Sequence, residues 1–238
     1  MNDMPPAREH SERIALPRID IVSDVICPWC YVGKRNLERA LAMLAEEGVT
    51  FSIHWAPFQL NPDMPEDGAS RQDYRIAKFG SLEKSQALDA RITEVAAMAG
   101  LEFHLDRQTR TPNTVDAHRL ILLAGQVEPQ THAGLQHEVM EAVFESYFIA
   151  GRDIGEHAIL ADAAAACGLD RDAILAFLAS DDARAPVLAA DVTARKAGVN
   201  GVPSFFLDGH GLFSGALPAE QMAEAFRRAH RLLGVQAA

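Results

Sequence analysis

Hydrophobic positions recur along this chain with two different periods. Ile19-Asp20-Ile21-Val22-Ser23-Asp24-Val25 is an apolar run with polar interruptions, the pattern of a strand. Gly33, Leu37, Ala40, Leu41 and Leu44 then recur at the three- and four-residue spacing of one buried helix face. Val49-Thr50-Phe51-Ser52-Ile53-His54-Trp55 alternates apolar with polar and predicts a second strand. Pro57, Pro62 and Pro65, with Asn61, Asp63 and Gly68, predict a loop.

From about Ser70 to about Ala197 the pattern is almost entirely helical. Helices are expected over Ser81–Ala99, Thr114–Gln126, Gln130–Ile149, Glu156–Cys167, Arg171–Leu178 and Ala183–Lys196, and Asn113 with Asp116 suits a capping arrangement. Strand character returns at Ser204–Leu207. Asp208-Gly209-His210-Gly211 predicts a turn and Leu212–Ser214 a return strand, so a hairpin is expected. Pro218 opens a last helix with the stripe Met222, Ala225, Phe226, Ala229 and Leu233. The order is β-α-β, a helical block, then β-β-α.

With 238 residues, 48% hydrophobic and 23% charged, the chain reads as an ordinary soluble globular protein with room for a core and an inserted lobe. A net charge of −11 argues against sequence-independent nucleic-acid binding, which runs on basic surface. Met1 to Pro17 holds no apolar stretch long enough for a signal peptide or membrane anchor, so the expectation is a loose tail on a cytoplasmic protein that binds neither membrane nor nucleic acid. Three cysteines in a chain this long do not make a disulfide-stapled scaffold.

Two of those cysteines carry the chemistry. Cys27-Pro28-Trp29-Cys30 falls where the strand pattern yields to the helical one, placing Cys27 at the helix start and Cys30 one turn in. Thiols so spaced lie within the Cα separation a disulfide spans, roughly 4.4 to 6.8 Å. Unpaired N–H groups and the positive dipole end of the helix favour a thiolate on Cys27, the expected nucleophile. Pro28 has no N–H to leave unpaired there and fixes the turn, and Trp29 sets a stiff apolar plate beside the sulfurs. The competing readings are half of a zinc site and a pair of inert thiols. Zinc wants about four ligands, and the remaining cysteine, Cys167, stands alone in an alanine-rich helix where a core role is expected.

Four ordered motifs resemble a known family. They are Ser23-Asp24-x-x-Cys27-Pro28-Trp29-Cys30-Tyr31-x-Gly33-Lys34, Trp55-x-Pro57-Phe58-x-Leu60-Asn61-Pro62, Asn113-Thr114-x-x-Ala117-His118-Arg119-Leu120 and Gly198-Val199-x-Gly201-Val202-Pro203-Ser204-Phe205. Together with the element order they are similar to the DsbA-like thioredoxin-fold family, and to its FrnE-type branch in particular. The resemblance spans roughly Arg18 to Leu233. It implies an α/β thioredoxin fold with a large inserted α-helical domain: a thioredoxin-like domain over 18–69 and 186–238, an inserted helical domain over 70–185, and a flexible tail over 1–17.

The same resemblance implies a thiol-disulfide oxidoreductase in which Cys27 forms a mixed disulfide and Cys30 resolves it. Pro203 is expected to be cis and to face the cysteines, leaving the backbone of Val202 to pair with an extended substrate. No tightly bound cofactor and no metal is implied. Glutathione is a candidate redox partner, a disulfide- or thiol-bearing protein or small molecule the substrate, and a homodimer a candidate assembly. Pro28-Trp29 puts no cation between the cysteines, so a less oxidising couple is expected than in relatives with histidine there. Kappa-class glutathione transferases and 2-hydroxychromene-2-carboxylate isomerases resemble this architecture but carry serine in place of Cys27, so glutathione-dependent transfer or isomerisation is the alternative. A thiol-sensing interaction module is a third reading.

The remaining candidates each have two readings. Asp24 is either a proton relay for Cys30 or a loop carboxylate satisfying backbone N–H groups. Lys34 and Arg35 either raise the local potential or, as expected, are solvated helix-face residues. His118, with Arg119, faces the cleft from the helical block or packs on its own helix face; Trp55 and Phe58 read as core or cleft wall.

Overall fold

The computed structural model describes residues 16–236. Most of the expected N-terminal tail, residues 1–15, lies outside the described residues. β1 (Arg18–Ser23) leads through a turn into α1 (Pro28–Glu46), and β2 (Ser52–Pro57) follows. Near the C-terminus come β5 (Ser204–Leu207), β6 (His210–Ser214) and α9 (Ala219–Gln236). These four strands form one sheet in the order β2-β1-β5-β6, with β1 and β2 parallel and the other pairs antiparallel. Ile21 pairs with Trp55 on one side and Phe205 on the other, so β1 is buried in the middle of the sheet. This is the expected thioredoxin fold.

The central strand and the hairpin depart slightly from expectation. β1 stops at Ser23 because the chain turns there, with Cys27 N–H bonded to Asp24 C=O at 3.0 Å. The hairpin turn is two residues, Asp208 (φ 46°) and Gly209 (φ 81°), and His210 already pairs with Leu207. Positive φ at both central positions matches the right-handed twist of the strands, and Asp-Gly supplies it at low cost.

α1 and α9 lie together on the sheet, burying Leu37, Ala40 and Leu44 from one and Met222, Phe226 and Ala229 from the other. Between β2 and β5 runs the large helical insertion. It opens with the short strand β3 (Ala69–Ser70), α2 (Arg71–Phe79), α3 (Leu82–Met98) and β4 (Arg110–Thr111), the two strands pairing antiparallel. α4 (Val115–Val127), α5 (Leu135–Phe144), α6 (His157–Ala166), α7 (Arg171–Ala179) and α8 (Arg184–Lys196) complete it.

The single helix expected over Gln130–Ile149 is broken at both ends. Gly134 (φ 91°) turns the chain before α5, and the Glu128 carboxylate accepts the N–H groups of Gly134 and Gln136 at 3.1 and 3.0 Å. After Phe144 the helix widens into a π-helical turn, Glu145–Ile149, that carries Tyr147 and Phe148 into the core. Arg119 is buried at the end of α7, where its guanidinium donates to the carbonyls of Phe177, Leu178, Ser180 and Asp182. The carbonyls that α7 cannot satisfy itself are thus capped by a neighbouring helix.

Candidate active site

Cys27 is the residue that caps the N-terminus of α1, with extended backbone (φ −89°, ψ 112°) and Pro28 in the first helical position. Cys30 N–H bonds to Cys27 C=O at 3.0 Å, closing the first turn around the two side chains. Both are free thiols. They differ in access: Cys27 lines a cleft of about 510 Å³, whereas Cys30 is absent from that lining and fully buried. Across from them the Val202–Pro203 peptide is cis, and the Cys27 Sγ donates to Val202 C=O at 3.6 Å. α1 approaches this loop closely because position 33 is glycine; a Cβ there would sit 2.9 Å from Pro203 Cγ.

Burial pushes the Cys30 thiol well above its ordinary value, and the neighbouring Cys27 pushes it further; the Ser23 hydroxyl and the Asp24 backbone pull the other way less strongly. Cys30 is therefore a thiol at neutral pH and must lose a proton to act as a nucleophile.

Asp24 is fully buried in the turn that joins β1 to Cys27. Its Oδ2 accepts the Leu60 N–H at 2.7 Å, while Oδ1 has no hydrogen-bond partner. His118 Nε2 lies 3.2 Å from Phe58 C=O and 3.3 Å from that Oδ1. Both neighbours are acceptors, so Nε2 carries the hydrogen. His118 is thus placed beneath the site, 3% exposed, and does not line the cleft. Cleft access requires a helix face turned to solvent, and α4 is instead packed against β2.

Lys34 and Arg35 are not solvated together as expected. Lys34 is 1% exposed and held by Glu38 at 2.6 Å and Glu141 at 2.5 Å, because α5 of the helical block covers this side of α1. Arg35 bridges the same two carboxylates at 2.7 and 2.6 Å. The Tyr31 hydroxyl donates to Glu141 Oε1 at 2.7 Å. His137 completes the cluster: its Nδ1 accepts from Trp55 Nε1 at 3.2 Å, so its Nε2 is the donor to Glu38 at 2.8 Å. Trp55 and Phe58 are core.

The far wall of the cleft comes from α2 and α3. Ser70 caps α2, its Oγ accepting the Asp73 N–H, and Gly80 ends it at φ 92°. α2 buries no residue; its helical pattern is a cationic face, Arg71, Arg75 and Lys78, and the Ser70 and Gly80 capping pair marks its ends. Arg71 and Arg75 from α2 share Asp89 of α3 at 2.9 and 2.5 Å. A second cavity of about 700 Å³ lies against this same wall and has no cysteine in its lining. Among the described residues no cluster of three or more His, Cys, Asp or Glu side chains is placed to hold a metal ion, and no helix is long and apolar enough to cross a membrane.

The chain is similar in sequence and fold to known proteins. The crystal structure of a probable DsbA oxidoreductase from Streptomyces coelicolor is 33% identical, with a TM-score of 0.76 over 90% of this chain and 89% of that one. The uncharacterised Bacillus subtilis protein YwbO is 26% identical over 152 residues, which are 64% of this chain and 66%, just under two thirds, of that relative's length. The cytosolic disulfide reductase DsbM of Pseudomonas aeruginosa, whose structure contains GSH, shares the fold at 16% identity and a TM-score of 0.55, over 92% of this chain and 98% of that one. A model of the DSBA-like thioredoxin domain matches residues 18–227, and the chain belongs to that family.

Proposed function

We propose that this protein is a cytoplasmic thiol-disulfide oxidoreductase that cycles between a Cys27/Cys30 dithiol and a disulfide. The observation that carries this reading is the asymmetry of the pair: one sulfur lines a cleft beside the Val202–Pro203 loop, the other is sealed behind it. Cys27 attacks a substrate disulfide, a mixed disulfide forms, and Cys30 attacks the Cys27 sulfur to release the second thiol. The Val202–Pro203 loop positions the substrate sulfur. Glutathione, present in the DsbM structure, is the proposed recycling thiol.

Asp24 and His118 handle the proton. Asp24 Oδ1, buried and without a hydrogen-bond partner, receives the Cys30 proton during resolution, with His118 Nε2 3.3 Å away to fix where that oxygen sits. Asp24→Asn keeps an acceptor for the Leu60 N–H but cannot take the proton. Release of the second thiol should slow roughly 10²-fold at neutral pH, with the first attack changed less than about twofold. Stopped-flow traces of the two steps across pH check this; equal slowing of both steps, or of neither, removes the relay.

A titration against thiol/disulfide buffers, read by trapped thiols and Trp29 fluorescence, tests the function itself. One two-electron transition, lost in each single cysteine variant, is the expected result. No such transition, with saturable glutathione binding instead, would transfer the assignment to a glutathione-dependent transferase or isomerase.

A further inference from the structure

We propose that the disulfide reduced at Cys27 belongs to a small organic acid with an apolar body, an inference that rests on the dithiol reading above. The cleft volume of about 510 Å³ falls within the range that encloses a low-molecular-weight ligand. Its apolar lining includes Ile26, Trp29, Leu60, Phe79, Leu88 and Ile92. Cys27 is 4% exposed at this surface, reachable by a slender ligand and shielded from a disulfide held rigidly on a folded protein.

The charge of the cleft selects among such ligands. Four cations, Arg71, Arg75, Lys78 and Arg91, line it against the single carboxylate of Asp89, on a chain whose net charge is −11. Asp89 is engaged by Arg71 and Arg75, and those guanidiniums are further fixed by Gln108 and Ser85. Lys78 donates to the neutral Asn61 and Tyr74. Among the described residues neither Lys78 nor Arg91 forms an ion pair. Low-dielectric walls concentrate this positive field toward the cysteine, drawing anions in and turning cations away.

In the reaction the Cys27 thiolate attacks one sulfur of RS–SR, forming Cys27–S–SR and expelling RS⁻. Cys30 gives up its proton and attacks the Cys27 sulfur, expelling the second RS⁻. The protein loses two electrons and becomes a disulfide; the ligand gains them as two thiols, protonated from Cys30 and solvent. A low-molecular-weight thiol restores the dithiol.

The test uses the pre-reduced full chain in single turnover with three aliphatic disulfides that differ in charge: 3,3′-dithiodipropionate (anionic), 2-hydroxyethyl disulfide (neutral) and cystamine (cationic). Rates are referred to those of free cysteine. The anion should react at least roughly tenfold faster than the neutral disulfide at low salt, and the cation slower. Lys78→Gln combined with Arg91→Gln should erase most of that preference, bringing the ratio of anion to neutral rates towards one. Equal rates for all three charges, or a preference untouched by the double variant, overturn the proposal. In parallel, 2-naphthoate and its neutral amide are titrated against Trp29 fluorescence, with Trp29→Phe as control. Preferential binding of the acid supports the cleft assignment even if no disulfide is reduced, so the two readings fail separately; equal binding of acid and amide counts against it.

Discussion

Cys27→Ser should abolish turnover of small disulfides, a loss of roughly 10³-fold or more, because a serine hydroxyl at neutral pH does not displace a thiolate from a disulfide. Cys27 is the one cysteine in the cleft lining, and Cys30, fully buried, cannot replace it. Cys30→Ser should behave differently. Its Cys27 still attacks, but nothing resolves the product, so a mixed disulfide with Cys27 accumulates. Mass spectrometry of protein quenched in acid reads the adduct directly. Retained turnover in Cys27→Ser, or an adduct mapped to Cys30, would reverse the roles given to the two sulfurs.

The second large effect is on stability. Glu141→Ala should cost on the order of 3 to 5 kcal/mol in urea unfolding, since it leaves the buried Lys34 ammonium with one carboxylate where it had two. The Tyr31 hydroxyl and the Arg35 fork lose a partner in the same step. Pairing Glu141→Leu with Lys34→Met should restore much of the loss, because removing both charges leaves no uncompensated ion. A Glu141→Ala variant within about 1 kcal/mol of the parent would mean the cluster is screened by water.

The same cluster sets an acid limit. Burial by itself would raise the Glu38 carboxyl, but the hydrogen bond from His137 and the charges and contacts of Lys34 and Arg35 outweigh it and hold the group down to about 2. A carboxylate whose folded value is depressed stabilises the fold above its ordinary value and loses that contribution as pH falls toward the folded one. Stability should therefore decline between pH 4.5 and about 2. Glu38→Gln should flatten that decline, and urea midpoints measured across the window test it. Asp20 and Asp116, also depressed by partners that outweigh burial, add to the same slope.

The sheet and the redox helix were legible because their information is local: alternation in β2, a 3.6-residue stripe in α1 and α9, and Cys-Pro-Trp-Cys at a strand-to-helix boundary. Lys34 was not, since a lysine amid a helix reads as surface until a partner 107 residues away, Glu141, is known to cover it. His118 follows the same rule: its direction depends on α4 packing over β2, which no spacing encodes. α2 lies within the stretch that reads as helical from about Ser70, but has no bounds of its own there for the opposite reason. It faces a cleft rather than a core, so its sequence Arg71-Gln72-Asp73-Tyr74-Arg75-Ile76-Ala77-Lys78-Phe79 carries no buried stripe. The wall that most shapes ligand choice is written as a cationic stripe, Arg71, Arg75 and Lys78 at helical spacing, and not as a buried apolar one.

The contact between Cys27 and Val202 joins residues 175 positions apart. β1 pairs on one side with β2, made early, and on the other with β5, made near the end of the chain. During synthesis the central strand therefore waits with one edge open, and the first turn of α1 waits without the loop that roofs it. At ribosomal elongation rates of about 5 to 20 residues per second the interval is on the order of ten seconds or longer. In each newborn molecule the two thiols thus meet the surrounding redox buffer before the site that disciplines them exists, and their first oxidation state is set by the cell and not by the fold.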